Sequence, residues 1–387
     1  MKLLIYSHFF SPSIGGVETV VSALASGLSE QRTISGSAAF AVTVVTQTPA
    51  GDDKDALLPF RIVRQPRPSQ LRRLILEADV VHVAGVAVAP IITALIAGKP
   101  VVVEHHSFQP ICPNGLLFQE PQNLPCSGHF MARRHSFCLR CSTTPDRIAS
   151  LRLWLLTFVR RFLLRHVEVN ITPTSWLATQ LRLPRSVTVH HGLVESPPLV
   201  RIAGPDPKPV FVFMGRLVST KGIRLLLKAC EILRGEKRSF ELLVIGDGPE
   251  RASLETIVRE WQLTSHVQFL GRLKQSQISE VLAKATVVVA PSLGGEVFGM
   301  VVAENMLNGI PVLASDLGAF VEVIGDAGLT FKMGDPVDLA RQMARLVDDS
   351  SLLERFRRSA HQRVLDCFAL SHMIDGHTEI YYRLGSK

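Results

Sequence analysis

Short apolar runs rich in Val, Ile and Leu alternate along this chain with longer segments whose apolar residues recur every three or four positions. The runs predict strands at 2–6, 41–46, 80–83, 101–104, 169–172 and 187–190. Continuous apolar strands are those of parallel sheets, because both faces are covered by helices. Helices fall between them, most clearly over 17–29, where Val17, Val20, Val21, Leu24 and Leu28 share one side. Five prolines then punctuate 195–209 and predict a stiff linker. Beyond it the alternation restarts, with strands at 210–214, 241–245, 267–270, 286–290, 311–314 and 328–331. Helices are expected at 223–234, 250–262, 275–284, 299–308, 336–347 and 351–365, and an amphipathic segment at 371–383 reads as crossing back to the first half.

The pattern predicts an α/β chain of two Rossmann-like, doubly wound parallel-sheet domains facing a cleft. The first is expected over 1–195, joined by a C-terminal helix over 371–387, and the second over 208–370. Ligands of such sheets bind beyond the carboxyl ends of the strands, so the loops after each strand should carry the chemistry.

Length and composition agree: 387 residues suit two cores, and 47% hydrophobic residues exclude a disordered chain. The uncharged stretch 80–98 is long enough to cross a bilayer, but His82, Gly85 and Pro90 break it into strand, loop and helix. The apolar run at 1–6 is too short for a secretory signal, so a cytoplasmic location and reduced cysteines are expected.

Three loops stand out. Gly215-Arg216-Leu217-Val218-Ser219-Thr220-Lys221-Gly222 follows a strand and opens a helix. Its two cations suit a diphosphate, although cations at helix starts are also ordinary surface residues. In Pro291-Ser292-Leu293-Gly294-Gly295-Glu296-Val297-Phe298-Gly299, Glu296 closes a glycine-rich loop and Glu304 lies inside the next helix among apolar neighbours. A carboxylate there needs a partner or a ligand. Ser11-Pro12-Ser13-Ile14-Gly15-Gly16-Val17-Glu18 lacks the GxGxxG dinucleotide fingerprint, which counts against a nicotinamide enzyme. Gly246-Asp247-Gly248-Pro249 reads as a turn with Pro at the first helical position.

The order Gly15-Gly16-x-Glu18, His106, Gly215-Arg216-Leu217…Lys221-Gly222, Glu296-x7-Glu304 and Glu304-x-Met306-x-x-Gly309-x-Pro311-Val312 resembles the retaining family 4 glycosyltransferases of the GT-B fold. The resemblance spans nearly the whole chain. It implies transfer of a sugar from a UDP- or GDP-type nucleotide-diphosphate sugar to a polysaccharide, lipid-linked or other glycan acceptor. Arg216 and Lys221 would neutralise the departing diphosphate without a catalytic metal, Glu304 would bind the ribose, and Glu296 the sugar hydroxyls. Backbone N–H groups at Gly15, Gly16 and over Phe298, Gly299 and Met300 would hold phosphate and sugar. A front-face substitution with retained anomeric configuration is implied. His106 takes the place of the family's cleft histidine, since His106-Ser107-Phe108 precedes Cys112-Pro113, but Ser107 stands where an Asp is usual. His190-His191-Gly192 reads as structural. The alternative function is a GT-B scaffold that binds a nucleotide sugar or lipid without turnover.

Cys112, Cys126, Cys138 and Cys141 lie in a Cys-rich insertion at 107–145 that resembles one seen in part of the family. They could make a structural zinc site, or stay as packed thiols or redox-dependent disulfides. Charge is concentrated nearby. Residues 131–166 hold eight Arg against Asp146, whereas residues 196–387 are nearly balanced, with 23 basic and 22 acidic side chains. Over 147–166, Leu151, Trp154, Leu155, Phe158, Val159 and Phe162 share one broad side, with Arg147, Arg160, Arg161 and Arg165 on the other. Such a helix either meets an anionic membrane on the inner face of the cell membrane or packs its apolar side inward. No nucleic-acid motif accompanies the charge.

Overall fold

The computed structural model describes residues 1–12, 15–33, 36–50, 53–141, 146–200 and 208–385. Its first half contains β1 (Lys2–Ser7), β2 (Ala41–Thr46), β3 (Arg61–Arg64), β4 (Val80–Ala84), β5 (Val101–Glu104), β6 (Phe118–Gln119), β7 (Leu124–Pro125), β8 (Val169–Thr172) and β9 (Ser186–Thr188). Seven of these form a parallel sheet in the order β3-β2-β1-β4-β5-β8-β9, while β6 and β7 pair as a separate antiparallel hairpin. The second half contains β10 (Val210–Met214), β11 (Glu241–Ile245), β12 (Val267–Gly271), β13 (Val287–Ala290), β14 (Val312–Ser315) and β15 (Leu329–Phe331). They form a second parallel sheet in the order β12-β11-β10-β13-β14-β15.

Both sheets are covered on two faces, which is why every position of β4, β5, β8, β13 and β14 is buried. The helix Gly16–Glu30 buries Val20, Val21, Leu24, Ala25 and Leu28 on the first sheet. Each large aliphatic side chain buried there contributes about 1.5–3 kcal/mol. The helix Ser350–Phe368 packs on Met300–Leu307 in the second half. The chain then turns at Ala369, and Leu370–Gly385 docks Met373, Ile374, Ile380 and Tyr381 into the first sheet's core. There it lies so close to Gly16–Glu30 that a Cβ on Gly27 would meet Ile374 Cδ1 at 2.5 Å.

Some elements depart from the apolar pattern. The edge strand β3, Arg-Ile-Val-Arg, buries Val63 alone, so it has no continuous apolar run. The strand expected at 187–190 ends earlier, as Ser186–Thr188, leaving His190 and His191 in the following loop. Pro249 precedes the helix Arg251–Glu260 by two residues, in the turn rather than at the first helical position. Between β5 and β8 the chain forms the β6–β7 hairpin, the short helix His135–Leu139 and the long helix Arg147–Leu163.

Candidate functional site

The loops following β10, β11 and β13 pack backbone against backbone. Gly222 has φ +67°, and a Cβ there would lie 1.9 Å from the Pro291 carbonyl oxygen. Gly246 has φ +129°, and its Cβ would lie 1.9 Å from the Gly215 carbonyl oxygen. Both positions need glycine for conformation and for closeness. The Leu217 amide donates to the Asp247 carbonyl (3.0 Å) and the Leu293 amide to that of Thr220 (2.7 Å). Gly246–Pro249 is thus the bracket that supports the Gly215–Gly222 loop.

That bracket aims Lys221. From the turn Ser219–Lys221, its Nζ donates to Glu296 Oε1 at 2.5 Å, and Ser292 Oγ donates to the same oxygen at 2.9 Å. Glu296 is buried, with its charge answered by this lysine. Arg216 is exposed, and its side chain makes no hydrogen bond or ion pair with another described residue. Its guanidinium is free to meet an anion.

Glu304 lies in the first turns of the helix Met300–Leu307, among the buried Val302, Ala303 and Met306. No described residue pairs with its carboxylate. Burial pushes its pKa up to about 7. The helix begins at Gly299, φ +101°, where a Cβ would strike Phe320 Cε1 at 2.5 Å, and no side chain caps it. Its first amides therefore remain available to an anion. Across the cleft, a Cβ on Gly16 would lie 3.7 Å from Met300 Cγ, so the Gly15–Gly16 turn faces this helix start.

His106 opens the loop after β5. Its Nε2 lies 3.4 Å from Glu104 Oε2, and its ring stacks on His191 with centroids 5.2 Å apart. His191 in turn touches the Phe298 ring, 5.1 Å between centroids, which links the two halves behind the cleft. Glu104 is fully buried and also faces His82, His191 and His377. Burial would raise its pKa, but the surrounding imidazoles outweigh that and hold it well below the usual carboxylate range. Sequence reasoning passed over Glu104, His82 and His377, and read His191 as structural. The signal for Glu104 was available: it closes an otherwise apolar, fully buried strand, the same argument that singles out Glu304.

Residues 201–363 match the family described as Glycosyl transferases group 1. The chain is 34% identical over 166 residues to a 2-deoxystreptamine glucosyltransferase of Streptomyces kanamyceticus, covering 42% of this chain and 43% of that protein. It is 34% identical over 156 residues to a phosphatidyl-myo-inositol mannosyltransferase of Mycolicibacterium smegmatis, covering 40% of each. The chain thus spans about two-fifths of the length of the curated relatives it matches. Among solved structures, Anabaena HepE in complex with UDP superposes with TM-score 0.72 at 17% identity, over 99% of this chain and 100% of that one. Sucrose-phosphate synthase from Thermosynechococcus elongatus gives 0.73 at 18%, over 100% and 99%. The fold is GT-B.

Arg216, Lys221, Glu296, Phe298, Gly299, Met300 and Glu304 all lie in the segment that matches this family, and the insertion lies outside it. The insertion nevertheless touches the segment: the Gly295 amide donates to the Leu116 carbonyl at 2.7 Å. Cys112, Cys126, Cys138 and Cys141 line one cavity of about 20 Å³ with Asn114 and His129. Cys112 Sγ donates to Asn114 Oδ1 (2.9 Å) and Cys141 Sγ to the Phe118 carbonyl (3.3 Å). Burial raises Cys112 to about 11 and Cys138 to about 12, so these are protonated thiols at neutral pH. No three of the sulfurs close within 4.8 Å of one another; among the described residues, the groups that do are both built on Glu104.

The helix Arg147–Leu163 reverses the inward-packing expectation. Asp146 caps it by accepting from the Ile148 and Ala149 amides. The side turned toward the protein is largely polar, with Ser150, Thr157 and Arg160 buried alongside Leu163. Ile148 (63% exposed), Leu151, Leu155, Phe158, Val159 and Phe162 (61%) face outward. Arg160, expected on a solvated face, is buried, while Arg161 Nη1 donates to the Leu181 carbonyl at 2.8 Å. No helix among the described residues is long and apolar enough to cross a membrane.

Proposed function

We propose that the chain transfers a sugar from a UDP- or GDP-type nucleotide-diphosphate sugar to a glycan or lipid-linked acceptor, with retained anomeric configuration. The observation that carries this reading is the half-buried Glu304 carboxylate, without a partner among the described residues and one helix turn past a free helix start. A ribose offers two hydroxyl donors to such an acceptor. Arg216 and Lys221 supply positive charge where a diphosphate leaves, so the charge developing in the transition state meets fixed groups. Glu296, oriented by Lys221 and Ser292, presents its second oxygen to sugar hydroxyls.

In this mechanism the donor's C1–O bond breaks and its electron pair stays on the diphosphate. The acceptor oxygen bonds to C1 on the same face, and its proton passes to the departing phosphate. His106, at the cleft end of β5, is placed to touch the transferred sugar. The similarity to a 2-deoxystreptamine glucosyltransferase and a phosphatidyl-myo-inositol mannosyltransferase supports the reading of sugar transfer and leaves the acceptor class open to either kind.

The outward apolar face of Arg147–Leu163, together with Arg133, Arg134, Arg140, Arg147, Arg152 and Arg165 from the same stretch, fits an anionic membrane surface, where a lipid-linked acceptor would be met. A zinc ion bound by Cys112, Cys126, Cys138 and Cys141 would require the thiols to ionise and draw together. The test of the activity is a panel of nucleotide sugars scored for binding and hydrolysis with the wild type, Glu304→Ala and Lys221→Ala. Equal activity in all three sinks the proposed site.

A further inference from the structure

Four imidazoles converge on one buried carboxylate in the core of the first half. The Nε2 atoms of His82, His106 and His377 lie 3.2, 3.4 and 3.8 Å from Glu104 Oε2, and that of His191 lies 3.5 Å from Oε1. None of these contacts has hydrogen-bond geometry: both carboxylate oxygens and all four Nε2 atoms are buried without a partner. The second ring nitrogen explains why. His377 Nδ1 lies 2.8 Å from the Met373 carbonyl oxygen, which can only accept, so Nδ1 carries the hydrogen. The Nε2 of the neutral ring then turns a lone pair toward the lone pairs of Glu104. Acceptor facing acceptor in a dry interior is unfavourable unless a cation lies between them.

We propose that His82, Glu104 and His377 bind a divalent transition-metal ion of the zinc class. All three side chains are fully buried, and their ligand atoms lie within 4.8 Å of one another. A tetrahedral ion with bonds of about 2.0–2.1 Å sets its ligands roughly 3.3 Å apart, against the 3.2 and 3.8 Å observed. Two imidazoles and a carboxylate are a donor set that zinc takes. Each histidine's other nitrogen is already held, His377 by the Met373 carbonyl and His82 by the Tyr381 hydroxyl at 2.8 Å. Such outer contacts orient metal-ligating histidines. The ion would tie the returning helix Leu370–Gly385 to β4 and β5, behind His106 and away from Arg216 and Lys221. It is a structural tie, independent of the donor reading.

The test is metal stoichiometry of the full chain, stripped with chelator and titrated with Zn²⁺ against a chromophoric competitor. The wild type is expected to bind one equivalent more than His82→Ala or His377→Ala, and a variant with all four insertion cysteines changed to Ser is expected to keep that equivalent. Affinity at this site should fall at least 100-fold in either histidine variant. His377→Gln, checked for fold by circular dichroism, covers the case in which alanine unfolds the chain. X-ray absorption on the cysteine-free variant should show a nitrogen and oxygen shell. Zinc bound equally by wild type and histidine variants overturns the proposal, and so does a folded wild type that takes none.

Discussion

Replacing Glu304 by Gln separates what the site costs the empty protein from what it contributes to the ligand. Burial alone raises this carboxyl from 4.5 to about 7, since no cation or hydrogen-bond donor offsets it. A shift of this size corresponds to about 3 kcal/mol at roughly 1.4 kcal/mol per pH unit. The sign follows from linkage. A carboxyl with a raised folded pKa is protonated in the folded chain and ionised in the unfolded one between pH 4.5 and about 7. Its ionisation therefore costs the fold nothing below pH 4.5, progressively more up to about 7, and a constant amount above. Glu304→Gln keeps the shape and removes the charge. The variant should match the wild type at pH 4.5 and exceed it at pH 8 by up to about 3 kcal/mol. At about 2–4 °C per kcal/mol for a domain of this size, that is roughly 6–12 °C in Tm. Nucleotide binding should move the opposite way: loss of a charged acceptor costs about 1.5–3 kcal/mol, some 10- to 150-fold in Kd for UDP or GDP. Wild-type affinity should itself rise as pH passes through 7. Melts from pH 4.5 to 8.5 and calorimetric titrations check both halves. A Tm difference that does not depend on pH refutes the account of Glu304 as an unpaired, half-buried acid.

Lys221→Met leaves the buried Glu296 with Ser292 alone and removes a cation from the diphosphate, so kcat should fall at least about 100-fold; single-turnover sugar transfer is the measurement. Gly222→Ala places a Cβ 1.9 Å from the Pro291 carbonyl oxygen at a positive φ, which should cost at least about 3 kcal/mol and separate the Lys221 and Glu296 loops. Denaturant unfolding reads the first effect and donor binding the second, and a neutral result refutes the close-packed loop bracket. Phe158→Ser with Phe162→Ser removes two outward rings, of which Phe158 also packs on Phe130 and Trp154. Sedimentation with anionic vesicles should drop at least about tenfold while donor hydrolysis is unchanged; equal sedimentation of wild type with neutral and anionic vesicles refutes the membrane reading.

The apolar runs revealed the interior strands because a parallel strand covered on both faces has no polar positions to interrupt it. β3 escaped notice for the converse reason, its edge position allowing Arg61 and Arg64 to flank a single buried valine. The loop chemistry of the second half was readable because Arg216, Lys221, Glu296 and Glu304 come from two strand–helix junctions with fixed spacing. The Glu104 group was not, since it gathers residues from β4, β5, the loop after β9 and the last helix, up to nearly 300 positions apart. Likewise, the wheel of Arg147–Leu163 shows that the helix is two-sided, but cannot say which side meets the protein. That is decided by neighbours such as the Leu181 carbonyl that receives Arg161.

The two halves of the cleft are joined by polar contacts that place chemistry rather than merely close a surface. Thr174 Oγ donates to the Val297 carbonyl at 2.9 Å, and the Ser175 and Trp176 amides both donate to Glu322 at 2.8 Å. Phe298, one residue past Val297, lies against His191, which stacks on His106. The glycine-rich loop is thus fastened to the first half within two residues of Glu296, and the fastening ends at His106. Opening the cleft would have to release Val297 and Phe298 together, so the position of Glu296 and the packing of His106 change in the same step. In the proposed mechanism, donor release and acceptor exchange would then be coupled through this short path of side chains.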